Sequence, residues 1–104
     1  MTYTQIIDVR SSDESGLHEL ARGWHLAQHG VAPGYQGIQI LADQEEPGRF
    51  LIVVDFADAA QAETNNARPE TQEWAANLGK LIDGEPAYRN VQPVCSSYAM
   101  SAGA

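Results

Sequence analysis

The sequence is poor in the residues that would place it in several large classes of protein. It has one cysteine, Cys95, so neither an intrachain disulfide nor a thiolate metal cluster is expected. Cys95 lies in an apolar run and is predicted to be a small buried side chain. Six lysines and arginines stand against fourteen aspartates and glutamates, and the net charge is −8. The chain therefore cannot form the basic surface on which nucleic-acid binding depends.

Long apolar runs are also missing. No run approaches the roughly twenty residues of a transmembrane helix, and the N terminus lacks the basic and apolar segments of a signal peptide. We therefore expect a cytoplasmic protein without a membrane span. No glycine-rich phosphate loop or haem-ligand pattern occurs, so no tightly bound flavin, haem or nucleotide is expected. The 104 residues suggest a single domain, 1–104, with a frayed tail at about 100–104.

Four segments have the composition of β-strands. Tyr35–Ala42 and Phe50–Phe56 are apolar runs separated by the polar insert Asp43–Arg49, a pattern typical of an antiparallel hairpin. Tyr3–Arg10 is rich in β-branched residues, and Tyr88–Met100 reads as a last strand. That last strand contains a proline, which predicts a position at the sheet edge or a bulge.

Two helical regions lie between these strands. The first is expected to begin at Ser11, with Glu14 completing a capping box, and to end before Gly30. Its predicted apolar stripe comprises Leu17, Leu20, Ala21, Trp24 and Ala27. The second region is broken: a short helix starts at Asp58, and Pro69 opens a second helix, Glu70–Ile82.

This order of elements predicts an α+β, ferredoxin-like fold, β-α-β-β-α-β, with both helices on one face of a four-stranded antiparallel sheet. In the third strand Phe50 and Ile52 alternate with Leu51 and Val53, so both faces of the sheet are apolar. Two helices cover only one face. A second copy of the chain, related by two-fold symmetry, is the simplest cover for the other, and we expect a homodimer.

Four short motifs resemble the antibiotic biosynthesis monooxygenase group, whose members are dimeric α/β barrels. The motifs are Pro-Gly-Tyr-x-Gly from Pro33, Pro-Gly-x-Phe from Pro47, Asp-Phe-Ala-Asp-x-x-x-Ala from Asp55 and Asp-Gly-x-Pro-x-Tyr from Asp83. The resemblance spans roughly Tyr3 to Tyr98. The group includes cofactor-free quinone-forming oxygenases of aromatic polyketides, haem-degrading enzymes and small proteins without known activity. Related barrels include polyketide cyclases and muconolactone isomerases, so the fold alone does not specify the reaction.

The resemblance implies possible site residues on the second helix. The polyketide oxygenases are similar in an Asn and a Trp one helical turn apart, whereas here Asn66 and Trp74 are separated by Pro69. An amide could hold an oxyanion while the indole stacks on an aromatic substrate. The alternative is a tryptophan in the core and an asparagine pair, Asn65-Asn66, in a turn. The haem-degrading pattern is absent, because the first strand has no Asn and no His follows His29.

All three histidines lie on one flank of the first helix. His25 is nearest the apolar stripe and is the best candidate for an acid or base near neutral pH. His25 and His29 have the i, i+4 spacing of metal ligands, but no carboxylate accompanies them, so we predict no metal site. The alternative for the whole flank is a solvated or interface surface.

We therefore expect a ligand pocket between the helices and the sheet. Its predicted catalytic residues are His25, Asn66 and Trp74, and its predicted substrate-binding residues are Trp24, Arg89 and Tyr98. Arg89 would oppose a substrate phenolate, or else be a surface charge. Two functions remain open. One is a cofactor-independent monooxygenase, or a cyclase or isomerase, acting on a small aromatic, polyketide or quinone-like molecule. The other is a non-catalytic small-molecule-binding or accessory protein of the same fold.

Overall fold

The computed structural model describes residues 2–97. Its elements in chain order are β1 (Tyr3–Arg10), α1 (Glu14–Gln28), β2 (Tyr35–Ala42), β3 (Arg49–Phe56), α2 (Ala59–Asn66), α3 (Pro69–Gly79) and β4 (Asp83–Val91). The predicted tail lies outside the described residues. Within them, no helix is both long and apolar enough to cross a membrane.

The four strands form one antiparallel sheet in the order β2-β3-β1-β4. Strands that are consecutive in the chain are joined either by the β2–β3 hairpin or by a crossover that carries helices. The predicted α+β, ferredoxin-like arrangement is therefore confirmed, with the second helical region divided into α2 and α3 as expected.

The core lies between the sheet and the helices. Phe50, Ile52, Val54 and Phe56 alternate along β3 and are all buried, and Ile7 and Val9 of β1 stand opposite Ile52 and Phe50 on the same face. The helices contribute Leu17, Trp24 and Leu78 to this cluster. Alternate residues of the strand point toward the helices, and the apolar stripes of the helices pack on them. The sheet and the helices thereby bury their apolar surfaces against each other.

The start of α1 differs from the prediction. Asp13 is the N-cap, and its carboxylate accepts from the Gly16 N–H at 2.9 Å. The Ser11 hydroxyl instead accepts from the Asp13 N–H and donates to the Leu81 carbonyl at 2.6 Å, which ties the start of α1 to the chain after α3. At the other end of α1, Ala27 is exposed and Gln28 occupies the buried position.

The last strand is shifted toward the N terminus from its predicted position, Tyr88–Met100. It begins at Asp83 and ends at Val91, while α3 ends at Gly79 rather than Ile82. The strand is at the sheet edge, as predicted, but Pro93, from which that position was predicted, lies beyond it. The proline within β4 is Pro86, which an edge strand tolerates because one side needs no ladder bonds. Cys95 follows the strand and is exposed, so the prediction that it is buried was wrong.

Between residues 2 and 97, no helix or strand covers the sheet face away from the helices. Its centre is apolar, with Ile6, Leu51 and Val53 all half-buried. Polar pairs flank this centre: Arg49 binds Asp8 at 2.6 Å, and the Thr4 hydroxyl donates to Asp55 at 2.6 Å. We call this surface the open face.

Candidate active site

The break between α2 and α3 opens a pocket of about 290 Å³ above the sheet. Pro69 begins α3 at its first turn, so the two helices cannot continue as one rod and the sheet below is reached through the gap. The residues that line the pocket are Gln5, Ile7, Trp24, Ile38, Val54, Phe56, Asn65, Asn66, Thr71, Gln72, Trp74, Ala75 and Tyr88.

Two indole rings form the largest apolar part of the wall. Trp24 of α1 and Trp74 of α3 have ring centroids 5.9 Å apart with planes tilted by 60°. Tyr35 of β2 meets Trp24 edge-on at 6.3 Å and Phe56 at 6.4 Å. These edge and tilted contacts are favoured geometries for aromatic pairs, so the wall belongs to a packed aromatic cluster.

Asn65 is the buried amide of the pocket, with only 2% of its surface exposed. Arg68 donates to Asn65 Oδ1 at 3.3 Å and to Gln28 Oε1 at 3.0 Å, and it also forms an ion pair with Glu70. A guanidinium carries donors only, so the oxygen of the Asn65 amide must face Arg68. The NH₂ end of Asn65 is thereby left for other partners.

Two polar atoms of residues in the wall lack partners within the described part of the chain. Trp74 Nε1 and Thr71 Oγ1 are buried, and neither has a hydrogen-bond partner among the described residues. The two side chains are three residues apart on α3 and therefore share a face of the helix. A buried polar group without a partner costs about 1–3 kcal/mol, so the two atoms are a local cost to the stability of the fold.

The described residues that line the pocket carry no charged group. Tyr88 of β4 is their only titratable member, and partial burial raises the pKa of its phenol above the usual value. Arg68, which binds the lining residue Asn65, is itself paired with Glu70. The pocket is therefore an uncharged cavity with amide, hydroxyl and indole N–H groups.

The structure brings three of the predicted site residues together. Trp24, Asn66 and Trp74 all line the pocket. Asn66, however, is exposed at the rim, where its backbone carbonyl accepts from Gln72 Nε2 at 3.2 Å. Its neighbour Asn65 is the asparagine that is buried in the wall.

His25 and Arg89 are not in this pocket. His25 lines a separate open groove of about 690 Å³ with His18 and Arg22, between α1 and β2. Arg89 is exposed and stands opposite Ile6 in the sheet, which places it on the open face. Tyr98 lies outside the described residues.

His25 instead makes a hydrogen bond into the core. Its Nδ1 lies 2.7 Å from the hydroxyl of Tyr35, and its ring lies 5.0 Å from that of His29. Tyr35 is 7% exposed, and burial raises the pKa of its phenol to about 12. The pair supports the aromatic wall from behind, because Tyr35 packs edge-on against Trp24.

The sequence reasoning missed several lining residues. Asn65 follows buried Ala62 by three residues, and Thr71 precedes Trp74 by three residues. The helical periodicity of α2 and α3 could therefore have indicated that both residues face inward. Tyr88 could be assigned only with the register of β4, where it stands opposite Ile7. Between residues 2 and 97, no three His, Cys, Asp or Glu side chains come together in a way that could hold a metal ion.

Comparisons with known proteins identify the fold. No protein-family model and no curated protein matches the chain. Among solved structures, a candidate antibiotic biosynthesis monooxygenase from Bordetella bronchiseptica is 19% identical, with 90% of this chain and 98% of that chain covered and a TM-score of 0.72. A similarly named protein from Deinococcus radiodurans is 17% identical over 97% of this chain and 100% of that chain, with a TM-score of 0.72.

A third similar structure is SnoaB, a cofactor-independent oxygenase from Streptomyces nogalater. It is 14% identical, with 92% of this chain and 96% of that chain covered and a TM-score of 0.72. At these identities the likeness establishes that the chain has the fold of the antibiotic biosynthesis monooxygenase structures, as the motifs predicted. The fold is shared by many chemistries, and the reaction must be argued from the pocket.

Proposed function

We propose that the protein is a cofactor-independent monooxygenase that oxidises a small aromatic or polyketide-derived molecule to a quinone-like product. The observation that carries this proposal is the pocket at the α2–α3 break, where the mutually tilted Trp24 and Trp74 rings form an apolar wall beside the buried Asn65 amide. Its volume of about 290 Å³ is close to the lower end of the range for small-molecule sites. The similarity of fold to SnoaB, a cofactor-independent oxygenase, supports the reaction class.

The proposed reaction converts the CH₂ group of an anthrone-type ring, which lies across the ring from the ketone, into a second carbonyl. The substrate loses one proton to water and becomes an enolate. The enolate supplies the electrons that reduce O₂, and a peroxide forms at the ring carbon. The second C–H proton then leaves as the O–O bond breaks. The sum is CH₂ + O₂ → C=O + H₂O, so the substrate itself is the reductant.

The protein's contribution is to stabilise the enolate oxygen. The NH₂ of Asn65, held by the Arg68–Oδ1 hydrogen bond, is the donor we assign to that oxygen. A preorganised donor in a site shielded from water lowers the barrier more than the same donor in water. The described lining offers no carboxylate or histidine as a base, so the substrate must have an acidic C–H bond.

The test is oxygen uptake with anthrone as substrate and anthraquinone as the measured product. Replacing Asn65 with alanine should lower kcat by about 10²- to 10³-fold, the usual effect of removing one oxyanion donor. Asn66→Ala, at the exposed rim, is the matched control and should change kcat little. Circular dichroism checks that both variants fold.

Two results would contradict the proposal: oxygen uptake no faster than the uncatalysed oxidation, or equal losses from the two asparagine variants. Anthrone binding without oxygen uptake, followed by quenching of tryptophan fluorescence, would indicate the non-catalytic binding protein instead.

We further propose that the active form is a homodimer that buries the open face. Half-buried Ile6, Leu51 and Val53 form its apolar centre, and no element among the described residues covers them. An apolar sheet face of this kind is stabilised by a second copy of itself under two-fold symmetry.

A further inference from the structure

We propose that Trp74, Trp24 and Tyr35 form a chain that carries an oxidising equivalent, that is, a missing electron, out of the pocket. At the end of this chain, the Tyr35 proton passes to His25. The centroids of the two indoles are 5.9 Å apart, and those of Trp24 and Tyr35 are 6.3 Å apart. The source of the oxidant rests on the proposed function, whereas the chain itself depends only on these contacts.

The chain joins the pocket to the groove on the other side of α1. Trp24 and Trp74 line the pocket, and His25 lines the groove between α1 and β2. Tyr35 lies between them and is 7% exposed. The ring separations are those of aromatic pairs in packing contact. Electron transfer slows steeply with distance, so two steps between adjacent rings are faster than one step across the core.

The surroundings of the N–H and O–H groups give the chain its direction. An indole or phenol that loses an electron becomes a strong acid. Trp74 Nε1 is buried and has no hydrogen-bond partner among the described residues, so oxidised Trp74 has no neighbour to take its proton and stays a strongly oxidising cation. The Tyr35 hydroxyl lies 2.7 Å from His25 Nδ1, which accepts a proton when the histidine carries its own on Nε2. The missing electron therefore comes to rest on Tyr35 as a neutral phenoxyl radical.

The oxidant follows from the proposed reaction. An electron that passes from the enolate to O₂ leaves a substrate radical beside superoxide. When the two separate, a second O₂ adds to the substrate radical and gives a peroxyl radical. This radical takes one electron from Trp74 and one proton from solvent and becomes a hydroperoxide. Trp24 and then Tyr35 replace the electron. A soluble thiol or ascorbate in the groove returns one electron to Tyr35, and His25 returns the proton.

The chain is tested by pulse radiolysis in azide solution, because the azide radical oxidises tryptophan in preference to tyrosine and no substrate is needed. In the wild-type protein the indolyl absorbance should decay as phenoxyl absorbance rises, at a rate independent of protein concentration. Tyr35→Phe should abolish this intramolecular phase. Tyr88→Phe is the matched control and should retain it, since Tyr88 lines the same pocket but is 52% exposed and lies outside the chain.

Two further variants test the proton step and the order of the rings. His25→Gln can still accept the Tyr35 hydrogen bond but cannot take up a proton. It should slow the intramolecular phase by about 10²-fold, the lower end of what a positioned base contributes. Deuterium oxide should slow the wild-type phase, because a proton moves with the electron. Trp24→Phe removes the middle link and should lengthen the lifetime of the radical on Trp74. Circular dichroism checks that each variant folds.

The chain is refuted if the wild type gives no intramolecular phase, if Tyr35→Phe retains it, or if His25→Gln transfers at the wild-type rate. Loss of the phase in Tyr88→Phe would refute it as well, by assigning the radical to that residue. The proposed function fails separately: radical transfer without oxygen uptake on anthrone would refute the oxygenase alone, whereas oxygen uptake without the intramolecular phase would refute the chain alone.

The role of the chain is tested under turnover with anthrone and O₂. Without Tyr35 the oxidising equivalent stays on the indoles, so Tyr35→Phe should lose tryptophan fluorescence after fewer turnovers than the wild type. Equal losses per O₂ consumed would show that the chain does not protect the pocket.

Discussion

Single side chains decide how the aromatic wall is held in place. Tyr35 is buried, its hydroxyl lies 2.7 Å from His25 Nδ1, and its ring supports Trp24 from behind. The predicted role of His25 as an acid or base in the pocket is thereby replaced by a structural one, because its ring faces the α1–β2 groove. The Tyr35 phenol is the group whose ionisation would disrupt this arrangement.

Tyr35→Phe should change the stability of the protein in a way that depends on pH. Burial raises the pKa of Tyr35 to about 12 in the folded chain, against about 10 when unfolded. The contribution of neutral Tyr35 to the free energy of unfolding is therefore fully present below about pH 10. It is lost as the pH rises toward about 12, because the phenol ionises in the unfolded state before it ionises in the folded state. Near neutral pH, Tyr35→Phe should lower the free energy of unfolding by about 1 kcal/mol through the lost hydrogen bond.

Urea unfolding of both proteins at several pH values measures this effect. The difference between wild type and Tyr35→Phe should shrink, and then reverse, above about pH 10. A difference that stays constant through this range would contradict the assignment.

The turn that connects α1 to β2 lies close to the first turn of α2. Gly34 has φ of +66°, in the left-handed region, and a Cβ there would lie 2.3 Å from Gln61 Oε1 and 2.7 Å from Gln61 Cβ. Gln61 belongs to the first turn of α2, whose N-cap is Asp58 as predicted. Only glycine allows the chain to reverse direction this close to α2.

Gly34→Ala should therefore lower the free energy of unfolding by about 1–3 kcal/mol, from the strained backbone and the displaced Gln61. Gly23→Ala is the matched control: it lies within α1, and an added Cβ meets no atom within 4 Å. That change should raise the free energy of unfolding by about 0.4–1 kcal/mol. Chemical denaturation measures both, and a neutral Gly34→Ala would show that the turn has room to relax.

At the scale of the molecule, the proposed dimer would bury the open face, which no element of the described part of the chain covers. The contact would bring two copies of the Ile6, Leu51 and Val53 cluster together, with the Asp8–Arg49 pairs near its edge. Arg49 and its hydrogen bond hold the pKa of Asp8 below the usual range. This pair therefore contributes stability at neutral pH that is lost as Asp8 becomes protonated in acid.

Val53→Glu should dissociate the dimer, because each copy would bury an unpaired carboxylate at the contact. Light scattering at micromolar concentration should report twice the chain mass of 11.3 kDa for the wild type and that mass for the variant. Leu26→Glu is the control, since Leu26 is 68% exposed on α1. A wild-type protein that is already a monomer would refute the proposal.

The fold was largely predictable from the sequence, because its main signals are local. The period-two apolar pattern of β3, the cap at Asp58 and the helix break at Pro69 each depend on residues within one or two turns, and each appears in the structure. The last strand was misplaced. The chain from Asp83 onward contains glycine and proline, which indicate a turn locally, yet pairing with β1 makes it a strand.

The arrangement of the pocket depended on tertiary structure. Local patterns nominated Trp24, Asn66 and Trp74, but Asn65 is the buried amide because the helix break and Arg68 turn it inward. Whether Tyr88 or Arg89 faces the helices is decided by the register of β4 against β1, since adjacent strand residues point to opposite faces. Sequence periodicity specifies which residues share a face, whereas packing between distant segments decides where that face points.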